Sequence, residues 1–352
     1  MSTLELEEIA QRHFVTLFPF QLTGAEQILD FDKIEISPGI FIEKCDYKNI
    51  GEFNYFWQSC PHSKFILPNV LITVHGKKYK NFIFKYLRNK NINFEKYLSG
   101  AGTAKNFFEI YNSIHRHIII SIYLIKKMQC YFVDDVISIE IDKHGNPSNG
   151  NFAGYSKLID LPLWAFHKKE RKEPEKITEI KLKNMFKNFH LYFNPLCWML
   201  DRISSALGYF WDYIITNDQP NLGFLSLVTC IEALVTTGNR GEITHQICER
   251  VSVLLSNKVE DRIKMYNNLK KIYSLRSKLI HGSSRISKGK ESWIISAKSS
   301  KTYVAMEEFA ELVDICVKLF NVLLSDKDFL SCIGSNKEDA LLDQFFISKL
   351  FS

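Results

Sequence analysis

The sequence has no C-x-x-C pair, no long apolar run and no large excess of either charge, and each absence closes off a class of protein. Its eight cysteines stand singly at 45, 60, 130, 197, 230, 248, 316 and 332. Zinc ribbons and thioredoxin-like redox sites need paired spacing. Cys230, Cys248 and Cys316 fall among apolar residues in expected helices, the setting of reduced core thiols in the cytosol. The strongest candidate for a membrane span, Ile118 to Ile125, lies between His117 and Lys126 and is far shorter than the roughly 20 residues a bilayer core demands. The opening residues, Met1-Ser2-Thr3-Leu4-Glu5-Leu6-Glu7-Glu8, are acidic and carry no apolar run, so a secretory leader is not expected. These features predict a cytoplasmic protein with no membrane partner. A formal net charge of +6 permits binding to a polyanion without demanding it. No carboxylate cluster offers itself to magnesium. His115-Arg116-His117 has a spacing that suits one face of a strand and no third ligand near it in sequence, so it reads as structural. Neither metal nor cofactor is expected.

What is present argues for folded domains. The chain has 352 residues, 46% of them hydrophobic, with 27 Phe and 15 Tyr, enough for two cores. A dense mixed-charge run, Lys168-Lys169-Glu170-Arg171-Lys172-Glu173-Pro174-Glu175-Lys176, interrupts the apolar pattern. It predicts a linker over 168–178, between an α+β domain at 1–167 and a helical domain at 179–330. An exposed loop inside one larger domain fits the same run. Residues 331–352 are amphipathic and fit against either domain.

Before the linker, β-favouring runs alternate with turn signals: Lys33 to Ile36, Ile40 to Glu43, Val70 to Val74, Lys80 to Phe84 and Val136 to Ile141. Thr103 to Lys127 fits a helix or, through its β-branched centre, a strand. After the linker, apolar residues recur at three and four spacing over Leu196 to Thr216, Asn221 to Thr236, Glu242 to Ser256, Val259 to His281 and Tyr303 to Leu324. Short punctuated connections between such helices favour antiparallel packing, so the fold class predicted is mainly α, a helical bundle preceded by an α+β domain.

The end of the fourth helix carries the sharpest signal. Tyr266, Leu269, Tyr273, Arg276 and Ile280 follow the spacing of a buried stripe, which places a guanidinium where the helix should be apolar. An arginine there cannot shed its charge and calls for a partner or a function. His281 then meets Gly282, at the place where a left-handed cap ends helices. Ending the helix there frees the imidazole to swing toward the arginine. A histidine that moves protons near neutrality and an arginine fork that stabilises a phosphorane suit RNA cleavage without metal, because RNA supplies its own 2′-hydroxyl nucleophile. The structural alternative is a snorkelling arginine and a histidine capping the helix dipole.

Leu275-Arg276-Ser277-Lys278-Leu279-Ile280-His281-Gly282 resembles the R-x4-H signature of HEPN domains, in wording the Apea-like branch. The resemblance covers about residues 185–325 and includes Ile231-Glu232-Ala233-Leu234 and the Glu249-Arg250 helix. It implies an all-α, usually dimeric bundle. It also implies a ribonuclease of toxin, antiphage or RNA-processing systems, with Arg276 and His281 of each protomer facing one shared phosphate. Some members of that family only bind.

Glu232 shares a helical face with Leu225, Val228 and Val235, so its carboxylate points inward and needs a cation. Arg276 and Arg250 are the available partners. Glu232 either holds one of them behind the site or forms an ion pair that only fixes helix register. Under the first reading, Glu232→Gln preserves folding and reduces cleavage; unchanged cleavage would remove that role. Ser277 and Lys278 either contact phosphate or face solvent. Between Gly282 and Thr302, Arg285, Lys288, Lys290, Lys298 and Lys301 surround Trp293, a composition that steers a phosphate backbone and stacks a base, or simply forms a charged loop. The basic and aromatic stretch from Lys77 to Lys96 suits a sheet with its lysines in water better than a nucleic-acid face. The function predicted is an endoribonuclease acting on RNA as a homodimer, with a sensing domain in front that answers a phage or regulatory trigger. The alternatives are a silent HEPN-like dimerisation or binding module and an RNA-binding regulator.

Overall fold

Short runs of β-branched and aromatic residues form strands in the first half of the chain, as their period of two requires. The computed structural model describes residues 13–23, 29–30, 32–37, 40–44, 70–75, 116–117, 120–121, 124, 129–133, 137–141, 158–159, 177–187, 200–216, 219–238, 242–281 and 300–351. The strands among them are β1 (His13–Thr23), β2 (Leu29–Asp30), β3 (Lys33–Ser37), β4 (Ile40–Lys44), β5 (Val70–His75), β6 (Gln129–Val133), β7 (Ile137–Ile141), β8 (Leu158–Ile159) and β9 (Ile177–Thr178). β1 is the spine. One edge of it pairs antiparallel with β5, Val15 opposite His75 and Phe20 opposite Val70. The other edge takes β7 and then β6 in succession, Leu17 opposite Ile137 and Phe20 opposite Phe132. β4 extends the sheet beyond β5, β3 beyond β4, and β8 beyond β6, while β2 and β9 pair in parallel as a separate two-stranded sheet.

The expected strands at 33–36, 40–43, 70–74 and 136–141 are present with small shifts at their ends. The expected strand Lys80 to Phe84 and the stretch Lys77 to Lys96 lie outside the described residues. β1 and β6 are strands that pattern alone did not mark. Pro19, a residue that normally argues against a central strand, sits in β1 at the short interval where β7 has ended and β6 has not begun. In the ambiguous run 103–127 the described residues are helical: Ile120 and Leu124 are buried one turn apart, and Ser121 donates to the His117 carbonyl at 2.7 Å. His117 is buried there, and burial together with Arg116 holds its imidazole well below the usual range, so it stays neutral. A short helix, α1 (Glu179–Phe186), packs on β3 and β9. By their contacts the residues divide into two units, 1–161 with 170–195 and 162–169 with 196–352.

The second unit is helical. α2 (Asp201–Ile215) buries Ile203, Ala206, Leu207, Phe210, Tyr213 and Ile214, the stripe of a helix lying on a core. α3 (Pro220–Val235) starts on a proline at its first turn, where the missing N–H costs nothing. α4 (Ile243–Leu255), α5 (Val259–Ile280) and α6 (Ser300–Ser325) follow. α3 touches α2, α4, α5 and α6, which is why its sequence is apolar nearly all round. Phe309 of α6 sits edge-on to both Tyr213 and Phe224, with centroids 5.9 and 5.6 Å apart. α7 (Lys327–Cys332) is capped by Asp326, whose carboxylate accepts from the N–H groups of Asp328 and Phe329. Gly334, at φ 81°, turns the chain into α8 (Glu338–Leu350). α8 buries Leu342, Phe345 and Phe346 and packs on α4 and α7, so the tail that sequence left unplaced joins the helical unit. Among the described residues no helix is long and apolar enough to cross a membrane. Cys230, Cys248, Cys316 and Cys332 are buried and unbridged, and burial pushes the Cys248 thiol up to about 11, far from a thiolate nucleophile at neutral pH.

Candidate functional site

Glu232 is the only charged residue in α3. On a helix packed on several sides, a carboxylate needs a counter-charge, and α5 supplies it: Arg276 Nη2 lies 3.4 Å from Glu232 Oε1. The pair straddles the edge of the core, with the Arg276 side chain 35% exposed and that of Glu232 21%. Burial raises the Glu232 carboxyl above its ordinary value, against the opposing pull of Arg276 and Tyr273. Of the two arginines that sequence offered as partners for Glu232, Arg276 is the one that meets it.

Tyr273 stands one turn before Arg276 on α5 and is 7% exposed. Its hydroxyl is close enough to Glu232 for each to shift the other's titration. It nevertheless meets no hydrogen-bond partner at good geometry among the described residues. Burial and the Glu232 charge push the phenol well above its ordinary value, so it remains a neutral O–H donor. Sequence reading took Tyr273 only as part of an apolar stripe. The signal that would have separated it from Leu269 is its hydroxyl, which must find a partner once buried.

α5 ends at Ile280, and His281 caps it. The expectation that a helix end at His281 swings the imidazole back toward Arg276 is not what the backbone does. His281 N–H donates to the Ser277 carbonyl at 3.0 Å, with φ −84° and ψ 7°, so the residue still follows the helical track. Five residues at about 100° each leave its Cβ roughly 140° round the axis from that of Arg276. No hydrogen bond or ion pair joins the two side chains among the described residues, and His281 is exposed. Ser277 and Lys278 are exposed on the same last turn. The buried stripe stops at Tyr273, since Ile280 is 52% exposed. Arg285, Lys288, Lys290, Trp293 and Lys298 lie outside the described residues, and Lys301 falls in the first turn of α6.

Arg250 belongs to a different cluster. It is buried on α4, donates to the Val235 carbonyl at 2.6 Å, pairs with Asp343 of α8 and lies 4.5 Å from the centre of the Phe346 ring. Burial lowers the guanidinium from its ordinary value while Asp343 supports it. Arg202 of α2 joins from the other side, donating to the carbonyls of Ala233 at 3.0 Å and Thr236 at 2.5 Å and pairing with Glu338 and Asp339 of α8. Two arginines thus cover the carbonyl end of α3, where the helix dipole favours cations, and three acids of α8 neutralise them. Gly238 N–H donates to Asp339 at 2.9 Å, and a side chain there would strike that carboxylate at 2.8 Å. Sequence reading missed Arg202, Glu338, Asp339 and Asp343; the acidic pair Asp339 and Asp343, one turn apart on an amphipathic tail, was the available signal.

Compared with models of known families, with curated proteins and with solved structures, the chain finds no match in any of the three. Its chemistry therefore rests on its own residues. Among the described residues, no group of three His, Cys, Asp or Glu side chains is placed to hold a metal ion.

Proposed function

We propose that the chain is a HEPN-type endoribonuclease that works without metal, with its helical unit as an antiparallel bundle and Arg276 and His281 as its reacting pair. One observation carries this reading. Arg276 is held at the core edge by the sole carboxylate of α3, with its guanidinium still open to solvent, on the same helix end that exposes His281. In the reaction, His281 takes the proton from the 2′-hydroxyl or returns one to the departing 5′-oxygen. The 2′-oxygen bonds to phosphorus, the bond to the 5′-oxygen breaks, and Arg276 stabilises the charge on the phosphorane. The products carry 2′,3′-cyclic phosphate and 5′-hydroxyl ends.

The divergence of the two side chains along α5 favours a site completed by a second copy, with one phosphate held between two helix ends. Two unshielded guanidinium groups in such a cleft repel, and Glu232 at each one offsets part of that repulsion until RNA arrives. Ser277 and Lys278 line the same turn, and Arg285 and Lys288 follow it in sequence as candidate phosphate contacts. A cytoplasmic nuclease of this kind needs restraint. We place the restraint in residues 1–167, as a sensor of a phage or regulatory trigger, with the enzyme acting as a toxin or antiphage effector.

The Glu232–Arg276 pair also serves a second reading, a silent HEPN-like module that dimerises or binds RNA or protein while Arg276 stays in a structural ion pair. Purified full-length protein with end-labelled structured and unstructured RNA in excess EDTA separates the two. Shortened products are expected for the nuclease. RNA retarded on a native gel but never shortened would support the binding module.

A further inference from the structure

The Glu232–Arg276 ion pair raises a physical problem for any anion that Arg276 binds. The guanidinium cannot turn fully to a phosphate and keep its contact with Glu232. Pulling it away strands a carboxylate on an otherwise uncharged helix, which is costly unless another donor steps in. The structure contains such a donor. The Tyr273 hydroxyl is buried beside Glu232, on the same helix as Arg276 and one turn before it, and it already leans on the carboxylate without meeting full hydrogen-bond geometry.

We propose that Tyr273 is a positioning residue that receives Glu232 when an RNA phosphate draws Arg276 away, so that the arginine is handed over to substrate without leaving a bare buried charge. This rests on the reading of Arg276 as a phosphate-binding group. In the free protein, Glu232 is shared between a loose ion pair with Arg276, at 3.4 Å, and a weak, poorly aligned hydrogen bond from Tyr273. With a phosphate on Arg276, the phenol closes on the carboxylate as an O–H···O⁻ hydrogen bond. No covalent bond forms or breaks, and the proton stays on the phenol, whose ionisation is strongly disfavoured by burial and by Glu232. The loss of the arginine's charge leaves Glu232 easier to protonate, so anion binding and proton uptake by Glu232 are linked. The sign follows. Glu232 has a higher midpoint in the anion-bound state than in the free state, so phosphate affinity falls as pH rises from the free midpoint to the bound one. The groups that face this carboxyl are Arg276 and Tyr273 of α5, and Cys248 of α4 acts in turn on Tyr273.

The test reads Glu232 directly. Full-length protein labelled with 13Cδ-glutamate is titrated by NMR, with the Glu232 signal assigned by its loss in Glu232→Gln. Four forms are compared: wild type, Tyr273→Phe, Arg276→Gln and the double variant. Arg276→Gln imitates the departed guanidinium and is expected to raise the Glu232 midpoint. Adding Tyr273→Phe is expected to raise it further, and by more than Tyr273→Phe does when Arg276 is present, because the phenol becomes the main donor only after the arginine leaves. Equal effects of Tyr273→Phe in both backgrounds would overturn the hand-over and leave Tyr273 a packing residue. A 2′-O-methyl RNA oligonucleotide, which cannot be cleaved, is expected to move the wild-type midpoint upward, toward that of Arg276→Gln. If the two substitutions are coupled but the oligonucleotide moves nothing, Tyr273 is a reserve donor to Glu232 but no RNA phosphate draws Arg276 away, which overturns the hand-over to RNA together with the ribonuclease reading.

Discussion

Alanine at His281 or at Arg276 is expected to abolish most RNA cleavage. Removing a general acid or base costs about 10²- to 10⁴-fold, and removing one donor to a developing oxyanion about 10²- to 10³-fold. The two losses are not expected to add in the double variant, since under the proposed mechanism both residues serve one transition state. The controls differ between them. His281 is exposed, and its hydrogen bond at the helix end is made by the backbone N–H that alanine keeps, so His281→Ala should unfold within about 0.5 kcal/mol of wild type. Arg276→Ala removes side-chain bulk as well as charge, so Arg276→Gln, which removes the charge and keeps most of the bulk, is the cleaner companion. Initial rates on a labelled oligonucleotide in EDTA, beside thermal unfolding of each variant, make the comparison. Cleavage at the wild-type rate in His281→Ala would mean that the imidazole is only a cap.

The second large effect concerns stability. Asp343→Ala takes from the buried Arg250 guanidinium its ion-pair partner and leaves carbonyl and hydroxyl contacts with the weaker pull of Glu249, a change that costs about 3–5 kcal/mol in comparable buried pairs. In a domain of this size that lowers the midpoint of the helical unit by roughly 10 °C. Replacing both members with apolar residues, Arg250→Met with Asp343→Leu, removes the charge together with its partner and should recover much of the loss. Circular dichroism at 222 nm against temperature reads all three forms. A double variant as unstable as Asp343→Ala would show that the cost lies in the other contacts of Asp343, the hydrogen bond from Thr237 among them, and not in the unpaired charge.

Much of the helical half was legible because its signals are local. Apolar spacing located α2 through α6 to within a few residues, and Pro220 and the Gly238 to Gly241 stretch marked the interruptions. Glu232 was legible for the same reason: a lone carboxylate inside an apolar repeat must find a cation, and Arg276 was one of two on offer. Geometry chose between them. Arg250 turns instead to the carbonyl end of α3 and to Asp343, a partner 93 residues away in sequence that no local pattern could supply. β1 escaped because Pro19 reads as a breaker unless the interval between β6 and β7 is already known, and that interval is a property of the sheet. Tyr273 escaped because at this spacing a tyrosine counts as apolar, and only the packed structure sets its hydroxyl beside Glu232. The direction of His281 depended on a single backbone hydrogen bond at the helix end, a detail that Gly282 alone did not decide.

The account turns on RNA attacking itself at a linkage held by Arg276 and His281. The most direct measurement is mass spectrometry of the ends produced from an oligonucleotide incubated in EDTA, beside the same oligonucleotide with a single 2′-deoxy residue at the cleaved position. The account predicts 2′,3′-cyclic phosphate and 5′-hydroxyl ends from the first and an intact second strand at that linkage. Ends with 3′-hydroxyl and 5′-phosphate, or scission at the deoxy position, would contradict it.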